Sequence, residues 1–130
     1  MALGRGGLRM KKVFISQPMA GRDQDVILRE RKVIEFIVTA MLGDDVYFID
    51  SFIQGAKDVN PLSCLGHSLM ALSKADLAVF APGWENSRGC RIERQCCNEY
   101  NIRVCEIEHD DLRRSLDDWR NNRRYCRLPF

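Results

Sequence analysis

The chain contains only two histidines, His67 and His109, and its six cysteines form no Cys-x-x-Cys pair. A structural zinc site favours closely spaced ligand pairs, so no metal is expected. No apolar run approaches the roughly 18 residues that a membrane span requires, and no membrane partner is expected. Net charge is only +2, too near neutral to imply nucleic acid as a partner. The opening MALGRGGLRM lacks the apolar stretch of a secretion signal. It reads as a flexible leader over residues 1–10, with 11–130 as a single domain. Internal repeats and interdomain linkers are absent as well. With no export signal, Cys64, Cys90, Cys96, Cys97, Cys105 and Cys126 are expected as reduced thiols in a cytoplasmic protein. Most of them then act as small buried hydrophobes.

What is present is a regular alternation of strand and helix. Lys12 to Ser16 (KVFIS) is a short buried strand. Asp23 is placed to cap a helix that runs to Leu42 and stops at Gly43, with apolar residues at helical spacing. Val46 to Ile49 is a second strand, rich in β-branched and aromatic residues. Asn60-Pro61 starts the next helix, with Leu62, Leu65, Leu69 and Leu72 expected on its buried face. Leu77 to Ala81 is a third strand, and a helix is expected from Gly89 to about Tyr100. Ile102 to Ile107 is the fourth strand. A final helix runs from Asp110 to about Arg123 and carries Leu112, Leu116 and Trp119 on one face. The six arginines from Arg113 to Arg127 read as a solvated helix face or a subunit contact. Helices of this length serve as crossovers between parallel strands. The expected architecture is an α/β fold: an open, doubly wound parallel sheet of four to five strands, flavodoxin- or Rossmann-like. In such sheets ligands bind beyond the strand C-terminal ends.

Two loops at that end hold the residues able to do chemistry. SQPMAGR follows the first strand; Ser16 offers a hydroxyl, and Gly21 permits a sharp turn. The helix after it presents unpaired N–H groups suited to an anion, although many such loops are purely structural. The second loop follows the third strand and runs through Gly83, Trp84, Ser87, Arg88 and Gly89 to Glu93. Glu93 is expected near the first helical turn, where the positive end of the helix keeps it ionised. An ionised, positioned carboxylate can attack an electrophilic sugar carbon. Arg88 is suited to pair with a phosphate. Glu93 has a plainer reading, as a glutamate that merely favours the helix dipole.

The run Ile15 to Gly21 (ISQPMAG), then Gly66-His67-Ser68, Ala75-Asp76 and Gly83 to Glu93 (GWENSRGCRIE), resembles the nucleoside 2-deoxyribosyltransferase-like superfamily. The similarity spans residues 12 to 107 and is closest to small bacterial and phage members related to the 2'-deoxynucleoside 5'-phosphate N-hydrolases. The resemblance implies a flavodoxin-like fold, a homo-oligomer, no cofactor, and a retaining displacement at C1' of a deoxyribosyl group. It assigns Glu93 as nucleophile and Ser87 as a phosphate contact. Ser16, Gln17, Met19 and Gly21, with Ser68, Gly83, Trp84, Arg88 and Gly89, would bind a nucleoside or nucleotide. Where many family enzymes carry an aspartate that protonates the leaving base, this chain has Ser68. His67 and Asp50 are the candidate acids in its place. The expected activity is cleavage or transfer at an N-glycosidic bond, by an N-glycosidase or 2-deoxyribosyltransferase. Two readings stand beside it: a nucleotide or nucleotide-sugar binding module without catalysis, and another Rossmann-like phosphoribohydrolase.

Overall fold

A computed structural model describes residues 10–43, 45–50 and 60–126, and side chains are described as far as Asp118. The leader expected over 1–10 lies, Met10 apart, outside the described residues. Four strands, β1 (Lys11–Ser16), β2 (Val46–Phe48), β3 (Leu77–Phe80) and β4 (Arg103–Glu106), alternate with α1 (Gln24–Leu42), α2 (Pro61–Leu72), α3 (Arg88–Glu99) and α4 (His109–Cys126). The strands form one sheet in the order β2-β1-β3-β4, and all three pairings are parallel. The chain steps outward from β1 to β2, then crosses back to β3 on the other side of β1. This reversal makes the β1/β3 boundary the switch point of a doubly wound, Rossmann-like sheet.

Strand alternation divides the core into two layers. Val13, Ile15 and Val79 pack with Ile34 and Val38 of α1 and with Leu112 of α4. Phe14, Ala78 and Phe80 face the other way, onto Leu69 and Leu72 of α2 and Cys97 of α3. Both faces of the central strands are covered, which is why they read as unbroken apolar runs.

The helix starts follow local side-chain chemistry. Asp23 accepts from the Asp25 N–H, Asn60 from the Ser63 N–H with Pro61 behind it, and Ser87 from the Cys90 N–H. Gly43 closes α1 at φ 88°, the left-handed conformation glycine adopts without cost. One expected core residue is corrected: Leu62 is 77% exposed. It lies on the same stripe as Leu65, Leu69 and Leu72, but in the first turn of α2, and burial along that stripe grows toward Leu72 at the other end of the helix. Cys90 and Cys97 are buried, Cys64, Cys96 and Cys105 half-buried, and all five are free thiols. The side chains of Trp119, Arg120, Arg123, Arg124, Cys126 and Arg127 lie outside the described residues. Among the described residues, no helix is long and apolar enough to cross a membrane.

Candidate active site

Ser16 is the last residue of β1, and the alternation that buries Phe14 points its hydroxyl toward α3. There it donates to Glu93 Oε1 at 2.5 Å. Both partners are enclosed, Ser16 at 1% exposure and Glu93 at 6%. Burial pushes the Glu93 carboxyl above the ordinary carboxylate range, while the Ser16 and Ser68 hydroxyls pull it back down. Ser68 belongs to α2, so three elements (β1, α2 and α3) converge on one carboxylate.

Ionisation by the helix terminus is corrected here. Ser87 is the N-cap and Arg88 the first helical residue, so Glu93 stands in the second turn of α3. The dipole effect fades within the first turn, and desolvation dominates. The resulting group holds its proton more tightly than a surface glutamate and is correspondingly more basic once ionised.

Cys90, one turn before Glu93, is a site residue the sequence reading missed. Its thiol lies beside the Ser16 and Ser87 hydroxyls and the Glu93 charge, and burial pushes it up. Cys97, one turn after Glu93, is pushed up to about 11 by burial. Residues 90, 93 and 97 share one face of α3, and that spacing was the available signal.

The first loop divides between two sides. Gln17 turns toward α1, where its Nε2 donates to the Ile27 carbonyl and to Glu30 Oε1, both at 3.0 Å. Its Oε1 accepts from Arg31 at 3.2 Å, and Arg31 also donates to the Ile49 carbonyl at 3.3 Å. Arg31 is 7% exposed, and burial lowers its pKa against the charges of Glu35 and Asp50. The sequence signal for it was its place on the buried 27-31-34-38 stripe of α1. Arg22 completes the support: it donates to the Pro18 carbonyl at 2.8 Å and forks onto both oxygens of Glu30 at 3.1 Å. Met19 is half-buried, and its carbonyl accepts from the Arg22 N–H. Gly21 turns at φ 74°.

The second loop leaves β3 through Gly83 at φ 86° and enters a 3-10 turn, Trp84–Asn86. Pro18 of the first loop lies 3.9 Å from where a Cβ on Gly83 would stand, so the two loops meet across the switch point. Trp84 packs edge-on against Phe80, with ring centroids 5.6 Å apart. The Arg94 guanidinium lies 5.8 Å and 5.9 Å from the Trp84 and Phe80 centroids and pairs with Glu106 at 3.0 Å. Arg88 is exposed at the start of α3, and Gly89 is half-buried.

Neither candidate acid acts on Glu93. His67 is exposed on α2, because adjacent helical residues point about 100° apart and Ser68 takes the inward direction. Asp50 is exposed at the end of β2, where its charge acts on Arg31. Among the described residues, two cavities lie away from Glu93, the first of them against the second loop. One, of about 180 Å³, is lined by Gly83, Trp84, Glu106 and His109 among others. The other, of about 400 Å³, lies between α1, β4 and α4. Among the described residues, no group of three or more His, Cys, Asp or Glu side chains is arranged to hold a metal ion.

No protein-family model matches the chain, and neither a curated protein nor a solved structure matches it.

Proposed function

We propose that the domain cleaves or transfers at the N-glycosidic bond of a nucleoside or deoxynucleoside, or of its 5'-monophosphate, with Glu93 as nucleophile. One observation carries the reading: a buried glutamate, bonded to the hydroxyl that ends β1, beside the switch point of the sheet. A carboxylate oxygen of Glu93 forms a bond to C1' while the C1'–N bond breaks, and its electron pair leaves with the base, which takes up a proton. Water or a second base then attacks C1' and releases Glu93, so two inversions give retention. Desolvation suits this role, since it makes the ionised carboxylate the stronger nucleophile. Arg88 and the N–H groups at the start of α3 suit a 5'-phosphate. Exposed Leu62 and Met70 on the charge-free helix α2 favour a homo-oligomer.

A second reading, binding without catalysis, is favoured by the enclosure of Glu93 and by the positions of His67 and Asp50. One experiment separates the two. The protein is incubated with each deoxynucleoside monophosphate, alone and with a second free base, and the products are resolved by chromatography. Free base or a new nucleotide that disappears with Glu93→Gln supports catalysis. A ligand-dependent rise in Tm with no product supports binding alone. Undiminished turnover by Glu93→Gln refutes the nucleophile.

A further inference from the structure

Ser16 is 1% exposed, so its hydroxyl reaches no solvent-borne molecule in this arrangement. What it does reach is Glu93 Oε1, at 2.5 Å. Ser68, on α2, also pulls the same carboxyl down. We propose that Ser16 and Ser68 are positioning residues: two hydroxyls, from the sheet and from α2, that clamp the Glu93 carboxylate and fix its aim and its charge. The inference rests on the reading of Glu93 as nucleophile and assigns these serines to that side chain instead of to a substrate.

The physical argument is one of compensation. A carboxylate taken out of water loses its hydration shell, and the charged form survives only if donors replace it. Among the described residues, no arginine, lysine or histidine is among the groups acting on Glu93; the side-chain donors acting on it are hydroxyls. Its other close titratable neighbours are the Cys90 and Cys97 thiols of α3, which burial keeps protonated at neutral pH. Hydroxyls stabilise a carboxylate without neutralising it, so the oxygen remains an active nucleophile. A paired cation would lower that basicity further. The two donors also come from separate elements, so the orientation of Glu93 is set by the packing of β1, α2 and α3 together.

The test uses protein labelled with ¹³C at glutamate side-chain carboxyls, with the Glu93 signal assigned by its loss in Glu93→Gln. The titration midpoint of Glu93 is expected to rise in Ser16→Ala, to rise in Ser68→Ala, and to rise most in the double variant. Ser16→Thr, which keeps a hydroxyl, restores it. In turnover assays, kcat on the acid side of the pH profile falls about tenfold in Ser16→Ala while KM changes little. Should Ser16→Ala fail to fold, Ser68→Ala reads the same clamp, since alanine suits a helix at that half-buried position. An unmoved midpoint in the folded variants overturns the proposal, as does a loss confined to KM. If the midpoint moves while Glu93→Gln retains turnover, the clamp stands and the nucleophile reading fails.

Discussion

Replacing Glu93 by glutamine gives a stability effect whose sign depends on pH. Burial holds the Glu93 carboxyl above its ordinary value of 4.5. At pH 4 and below, the unfolded chain also carries the proton, and wild type and variant differ only in side-chain shape. As pH rises past the unfolded value, the unfolded carboxyl ionises while the folded one keeps its proton. Wild-type stability then falls by up to one proton equivalent, about 1.4 kcal/mol per pH unit, until the folded group ionises as well. Glutamine does not titrate. The variant should therefore gain on wild type as pH rises through the carboxylate range, and the gap should level off above the folded midpoint. Each kcal/mol corresponds to about 4 °C in Tm for a chain of this size. Urea unfolding followed by circular dichroism, in half-unit steps from pH 4 to pH 8, measures the gap directly, because every other titrating group is common to both proteins. A gap that stays constant, or a wild type that gains on the variant with rising pH, would refute the buried, upward-shifted carboxyl.

Phe80→Ala empties the centre of the α2/α3 layer and strips Trp84 and Arg94 of their ring contact; a loss of about 3–5 kcal/mol is expected in equilibrium unfolding. Asn60→Ala removes the cap on the Ser63 N–H and should cost about 1 kcal/mol in the same measurement. Gly83→Ala places a side chain at φ 86° with its Cβ in ordinary contact with Pro18. The cost, about 1–2 kcal/mol, is then backbone strain, and asparagine there should recover part of it. Leu62→Gln should leave monomer stability within about 0.5 kcal/mol, and a larger loss would show that the residue is packed against something.

Most of the architecture was legible because its signals are local. Buried parallel strands show as unbroken apolar runs, as in LAVFA. Asp23 and Asn60 each stand where a helix needs an acceptor, whereas the cap at Ser87 was not read; element ends fell within a residue or two of those read from the sequence, apart from the last helix, which runs on to Cys126. The 3-10 turn at Trp84–Asn86 was not, since a single tight turn has no periodicity to detect. Within the site, Ser16 and Glu93 were both singled out, yet their contact joins residues 77 apart in sequence. The choice between His67 and Ser68 depended on the rotation of α2 against the sheet, and apolar residues on several sides of that helix left the rotation open. Gln17 followed a plainer rule: next to an inward-facing Ser16, strand alternation sends it to the α1 side, where Glu30 and Arg31 await it. The direction of the Glu93 shift was not legible because it depends on depth of burial, a property of the assembled layers.

The account turns on a covalent bond between Glu93 and a sugar. Protein mixed with a deoxynucleoside 5'-monophosphate, quenched rapidly in acid and digested, can be weighed peptide by peptide. The expected result is a mass gain of one deoxyribosyl phosphate on the peptide that contains Glu93, absent from Glu93→Gln. Release of free base by wild type with that peptide unmodified, or with the added mass on another residue, would contradict it.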